Sequence, residues 1–157
     1  MKLKLIVVGK SAFDFVKEGE EVYEKRLVHY LSFEKIILPD IKNAKNLSVE
    51  ELKKKEGELI LSKISNQDFL VLMDESGLNF TSVKFSEWIN QKVNEGIRTM
   101  VFAIGGAFGF SKEVYDRSNQ KISLSKMTFS HQLVRVIFLE QLYRAQTILK
   151  GEPYHHE

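Results

Sequence analysis

Residues 103–111 read AIGGAFGFS, three glycines that follow directly on an apolar run. Glycine at such a point permits a tight turn, or lets a ligand come close to bare main chain. The stretch follows a strand-like segment, as phosphate-cradling loops do, yet it fits neither G-x-G-x-x-G nor G-x-x-x-x-G-K-[ST]. It also lies about two thirds of the way along the 157 residues, whereas a dinucleotide fingerprint usually opens its fold. Two readings stay open: a turn that needs positive φ, and a pocket that reads its ligand through backbone groups.

Three other stretches carry reactive side chains. In SLSKMTFSH (123–131), Ser125, Ser130 and His131 suggest a nucleophile and a base. There is no G-x-S-x-G elbow, however, and Ser130 and His131 are adjacent, so hydrolase chemistry is not indicated. The end of the chain, GEPYHHE, places two neighbouring histidines beside a carboxylate without the spacing of a zinc site. It reads either as a disordered tail or, with Pro153 stiffening it, as a segment in which Tyr154 stacks on a base. Arg135 and Arg144 interrupt an apolar helix nine positions apart, about 180° around its axis. Arginines in such surroundings are paired, or aimed at an anion or a planar group.

The elements that must position these residues follow from periodicity. Strand-length apolar runs occur at 3–8, 33–38, 69–73, 99–104 and 121–125. Helical spacing lies between them: Phe13, Val16, Tyr23, Leu27 and Tyr30 mark a first helix, and Ser48 with Glu51 forms a capping box ahead of Leu52, Leu59 and Ile60. A third helix carries Val83, Trp88, Ile89 and Val93 and stops at Gly96, while Ser111 is placed to cap KEVYDRS. Alternating strands and helices predict an α/β fold with a mostly parallel sheet covered on both faces. No composition break marks a second domain, since PDIKNAKN (39–46) is only loop-length, so 1–157 reads as one domain.

The last helix runs from a serine cap at Ser130 to Gly151, and its apolar residues, from Leu133 to Leu149, cover much of its circumference. A helix of that kind is buried on more than one side, and a second subunit is a natural cover for the side its own sheet does not take.

Composition narrows the class. A chain with 43% hydrophobic and 28% charged residues and no apolar run near the roughly 20 that span a bilayer predicts a soluble globular protein. The opening MKLKLIVVGK has an apolar stretch only from Leu3 to Val8 and no cleavage site, so it reads as a strand, not a signal peptide. The absence of cysteine excludes disulfides and thiolate chemistry and fits a cytoplasmic location. A net charge of +2 is too small to steer nucleic acid from a distance.

Taken together, GGAFGFSKEVYDRSNQKISLSKMTFSHQLVRVIFLEQLYRAQTILKGEPYH, the opening MKLKLIVVGK, EVYEKRL (21–27) and the EEL and KKEGELIL segments near 50–61 resemble the ribosomal RNA large subunit methyltransferase H family of the SPOUT superfamily. The resemblance spans the whole chain. It implies a SPOUT-type α/β knot, in which a mostly parallel sheet flanked by helices carries a deep C-terminal trefoil knot. It further implies a homodimer that uses S-adenosylmethionine and no metal to methylate N3 of a pseudouridine in 23S rRNA of the large subunit or assembled ribosome. General topology rules would have argued against a knot.

Carried over to this sequence, the cofactor pocket comprises Met73, Gly105, Leu124, Ser125, Lys126, Met127, Thr128 and Phe129. Bare main chain suits an adenine edge, and Met73, Leu124 and Met127 offer apolar walls. Three positions depart from the family pattern: Met73 stands for leucine, Ser130 for proline and His156 for arginine. For the chemistry, Arg144 is the candidate to stabilise the N3 anion, His155 the candidate base, and Tyr154 the residue that helps hold the base. A non-enzymatic ribosome-binding module and a nucleotide-dependent oxidoreductase are the rival classes.

Overall fold

The structure, a computed structural model, describes residues 1–156. Its strands are β1 (Lys2–Val8), β2 (Ser32–Leu38), β3 (Phe69–Asn79), β4 (Thr99–Ile104) and β5 (Gln120–Ser123). They form a single sheet in the order β2, β1, β4, β3, β5, with every neighbouring pair parallel. Four helices connect them, α1 (Asp14–Leu27), α2 (Val49–Leu61), α3 (Ser82–Asn94) and α4 (Lys112–Arg117), and α5 (Leu133–Leu149) follows β5.

Side-chain alternation along the central strands divides the core in two. Leu3, Leu5 and Val7 point to one face, where they meet Leu27 of α1, Phe85 and Ile89 of α3, and Phe138, Leu139 and Leu142 of α5. Ile6 and Val8 point to the other, against Ile60 of α2 and Val114 of α4. A strand buried on both faces reads as a continuous apolar run, as Leu5–Val8 does, while Lys4 reaches the Asp68 carboxylate at 4.0 Å.

Local signals behave as their chemistry dictates. Ser48 and Glu51 close the capping box of α2, and Ser130 Oγ accepts the Leu133 N–H at 3.1 Å ahead of α5. Ser111 sits at the N-cap position of α4, but its hydroxyl makes no bond to the first turn. The strand expected at 121–125 ends at Ser123, which leaves Leu124 and Ser125 in the segment leading to α5.

The strand expected to end at residue 73 instead runs to Asn79 through a bulge, in which Met73 and Leu78 both pair with Ile122. A Cβ at Gly77 would lie 2.5 Å from the Ile122 nitrogen, so this path requires glycine.

Helix α5 lies between α1 and α3 on the sheet, with Phe138, Leu139, Leu142 and Ala145 buried. These neighbours take up much of its apolar circumference. Val136, Ile137 and Tyr143 are half-buried, and Leu133 and Leu149 are exposed.

Arg135 is fully buried at the start of α5. Its guanidinium donates to the carbonyls of Val8 at 2.6 Å, Gly9 at 2.9 Å and His131 at 3.1 Å, and to Ser11 Oγ at 3.2 Å. Ser11 passes the link on, donating at 2.6 Å to the buried Glu20 carboxylate, which has the Lys35 ammonium 3.6 Å away. Nearby, Gln132 Oε1 accepts the Ala12 N–H at 2.8 Å. The N-terminal end of α5 is thereby fastened to the point where β1 leaves the sheet.

Replacing Arg135 with Met strands these buried acceptors, and we expect a loss of about 3–5 kcal/mol, or roughly 10 °C in Tm for a chain of this size, by calorimetry. Arg135→Lys should recover only part of it, because an ammonium cannot reproduce the fork. The His131 imidazole titrates below its ordinary value because of burial and then the Arg135 charge. Its neutral form is therefore favoured by the fold, and that stability is complete above the unfolded value of about 6.5 and is lost as pH falls below it. The drop in Tm between about pH 7.5 and 5.5 should be smaller in His131→Asn than in the parent chain.

Candidate active site

At the carboxyl ends of β3, β4 and β5 the chain opens into a cavity of about 760 Å³. Ligands of open parallel sheets gather at this edge. Two segments and a bulge build it.

The first segment is the glycine loop after β4. Gly106 and Gly109 pair as an isolated antiparallel bridge, and Gly109 holds φ +78°, the conformation that a tight turn requires. The turn reading is thus met by Gly109, and Gly105, Gly106 and Gly109 all line the cavity. Behind the loop, the Glu56 carboxyl on α2 is raised by burial and by Asp40, and a bond from the Gly106 backbone partly offsets the rise.

The second segment is the run from Leu124 to His131. Its own hydroxyls hold it: Ser123 Oγ donates to the Ser125 carbonyl at 2.7 Å, and Ser125 Oγ accepts the Met127 N–H at 2.9 Å. Asn79 Nδ2 adds a bond to the Ser123 carbonyl at 2.9 Å. Of the residues expected at the cofactor pocket, Met73, Gly105, Leu124, Ser125, Met127, Thr128 and Phe129 line this cavity. Lys126 does not, and its side chain is exposed.

The bulge in β3 supplies residues that the sequence reading did not single out. Met73, Asp74, Glu75 and Ser76 all line the cavity, although consecutive residues of a regular strand face opposite ways. Asp74 Oδ1 accepts the Ser76 N–H at 2.8 Å and its hydroxyl at 2.5 Å, and Asp74 Oδ2 accepts the Tyr115 hydroxyl at 2.5 Å. Burial alone would raise the Asp74 carboxyl, but these bonds and the Lys121 ammonium outweigh it and hold it below its ordinary value. The one signal in the sequence was DESG (74–77), an abrupt polar break at the end of an apolar run.

The charge of the lining decides what fits. Asp74 and Glu75 are carboxylates, His131 is biased toward its neutral form, and among the described residues no lysine or arginine lines the cavity, the Lys121 ammonium being bonded to Ser76 Oγ at 2.9 Å. Such a lining repels a diphosphate and suits an adenosyl ligand that carries a sulfonium and an ammonium. Apolar walls from Met73, Ile104, Phe110 and Leu124 fit the ring of the same ligand. S-adenosylmethionine therefore suits the residues present, and a nicotinamide dinucleotide does not.

Arg144, Tyr154 and His155 also come together, but elsewhere. Glu140 organises them: its carboxylate accepts Arg144 Nε at 3.0 Å and the Tyr154 hydroxyl at 3.2 Å, and His155 Nδ1 lies 3.3 Å from the Arg144 guanidinium. The guanidinium sits 4.8 Å above the Tyr154 ring, which packs edge-on against Tyr143. The Glu140 bond, foremost, holds the Arg144 guanidinium above its ordinary value, so its charge is secure. This cluster occupies the C-terminal end of α5, whereas Val134 lines the cavity at the other end. Ten helical residues separate them, roughly 15 Å. Within one chain the cluster does not line the cavity.

Residues 1–155 match the family described as "Predicted SPOUT methyltransferase". The chain is 54% identical over 156 residues to the ribosomal RNA large subunit methyltransferase H of Christiangramia forsetii, covering 99% of each chain. It is 55% identical to the protein of that name from Flavobacterium psychrophilum and 53% identical to that from Parabacteroides distasonis, in both cases over 157 residues and the whole of each chain. With an all-parallel α/β sheet, a cavity suited to an adenosyl cation and likeness along its full length, the chain belongs to the ribosomal RNA large subunit methyltransferase H family of SPOUT methyltransferases.

Proposed function

We propose that this chain, as a single methyltransferase domain over 1–157, transfers a methyl group from S-adenosylmethionine to N3 of a pseudouridine in 23S rRNA of the large subunit. The observation that carries the reading is a cavity at the strand carboxyl ends that is lined by bare main chain and carboxylates and, among the described residues, by no lysine or arginine. When bound there, the cofactor supplies a methyl group activated by its positive sulfur. The family's trefoil knot accounts for how the glycine loop and the Leu124–His131 segment come to line one cavity. A ribosomal substrate makes the cytoplasm the place of action, and among the described residues no helix is long and apolar enough to cross a membrane.

The residues of the chain divide the remaining work. Main chain at Gly105 and 124–129 holds the adenine edge, and Met73, Leu124 and Phe129 exclude water from the thioether. His155 accepts the imide proton of N3 on Nδ1 once the Arg144 guanidinium turns from that nitrogen to the base, where it stabilises the charge left behind. Tyr154, fixed by Glu140 and stacked under Arg144, keeps both in place.

The roughly 15 Å between cluster and cavity favours a homodimer in which the cluster of one copy completes the cavity of the other. Unpartnered apolar surface supports this. Phe13, just before α1, is 55% exposed and Phe15 in its first turn 62%, while Val136 and Ile137 of α5 are half-buried. A two-fold contact would cover that surface on both copies at once.

Four results are expected. Calorimetry should show binding of S-adenosylmethionine and none of NAD, and 23S rRNA from cells lacking the gene should lose a single methylpseudouridine by mass spectrometry. A chain that binds the ribosome but not the cofactor would instead be a ribosome-binding module. His155→Ala should slow single-turnover methylation by about 10²- to 10⁴-fold near neutral pH, and by less near pH 9 as the imide ionises without help. Thr128→Trp, which fills the cavity, and His155→Ala should each be inactive alone, yet an equal mixture refolded together should regain about a quarter of the parent activity through dimers holding one intact composite site.

A further inference from the structure

We infer that Asp74 is a cofactor-binding residue that accepts one hydroxyl of the ribose of the adenosyl ligand, with Ser76 and Tyr115 as its positioning residues. The inference rests on the proposed use of S-adenosylmethionine. It starts from the β3 bulge, which places Asp74 in the cavity wall immediately after Met73.

Acceptor capacity is the first argument. A carboxylate offers about four lone-pair sites. Ser76 N–H and Oγ fill those of Oδ1, and the Tyr115 hydroxyl fills one of Oδ2, so a single acceptor position is left for the ligand. A pair of donors chelating both oxygens has no room.

Charge is the second. The Lys121 ammonium bonds Ser76 Oγ at 2.9 Å and acts on Asp74 electrostatically, so the carboxylate already has a cation beside it and does not depend on a cationic ligand group. A neutral hydroxyl meets the remaining site. The roles are also fixed in direction: burial, then the Asp74 contact, pushes the Tyr115 hydroxyl up to about 12, so it stays protonated and donates to Asp74. The carboxylate is thus held as an acceptor, which suits a ribose O–H.

Two commercially available ligands separate the possibilities. S-adenosylhomocysteine carries both ribose and amino-acid ends, and 5′-methylthioadenosine carries the ribose but no ammonium. Calorimetry on Asp74→Ala should show both bound about 10- to 100-fold more weakly than by the parent chain, and by the same factor. A loss confined to S-adenosylhomocysteine would assign Asp74 to the ammonium and overturn the inference, as would no loss for either. The 2′-deoxy and 3′-deoxy forms of 5′-methylthioadenosine sharpen it: one of them should bind the parent chain more weakly and bind Asp74→Ala no worse than the full ligand does.

If Asp74→Ala does not fold, Tyr115→Phe carries the test, because it keeps the carboxylate but frees Oδ2. A smaller loss, about 3- to 10-fold and again equal for the two ligands, is expected, with an unchanged circular dichroism spectrum. Equal affinity for both ligands in Tyr115→Phe and the parent would overturn the positioning role. Failure of the parent chain to bind either ligand would overturn the cofactor reading itself, and this assignment with it.

Discussion

The structure depends on one buried cation. Arg135 is surrounded by apolar layers, and it is tolerable there only because its fork meets the carbonyls of Val8, Gly9 and His131 and the hydroxyl of Ser11. The Val8 and Gly9 carbonyls are available because β1 ends there, its pairing with β4 stopping at Val7 and that with β2 at Val8. Cation and strand end satisfy each other. The consequence is geometric: α5 cannot shift without exposing charge, so the segment before it, from Leu124 to His131, is anchored at its far end as well as by Ser123 and Ser125.

The cavity then follows from what borders that segment. A parallel sheet delivers all its strand carboxyl ends to one edge, so the β3 bulge, the loop after β4 and the loop after β5 necessarily face one another. Their chemistry is sparse. Glycine and small hydroxyl residues leave main chain uncovered, and Asp74, tied on both oxygens, is the fixed charge. Among the described residues no lysine or arginine lines the cavity, which separates it from phosphate sites built on the same type of sheet edge.

Much of the frame was legible because it rests on period and on caps. The stretches 5–8 and 100–104 are apolar on both faces, as a strand between two helix layers is, and Ser48 with Glu51 fixes the start of α2 by local hydrogen bonding alone. The pocket residues from 124 to 129 came from family resemblance, since nothing in SLSKMTF by itself names a ligand. Asp74, Ser76 and Tyr115 stayed hidden because their meeting requires a bulge, and a bulge depends on how Gly77 approaches Ile122 across strands. The division of α5 into a buried arginine at one end and an exposed-side cluster at the other was likewise invisible. Two arginines half a turn apart look alike until the sheet takes one of them.

The span of the Arg135 clamp sets an order of events during synthesis. Its bonds to Val8 and Gly9 join residues 127 and 126 positions apart, so the first strand emerges long before the residue that will close over its end. Such non-local contacts form late and slowly. Until α5 folds, the Leu124–His131 segment lacks the anchor at its far end, so the cavity wall it forms is completed only when the two distant parts of the chain meet.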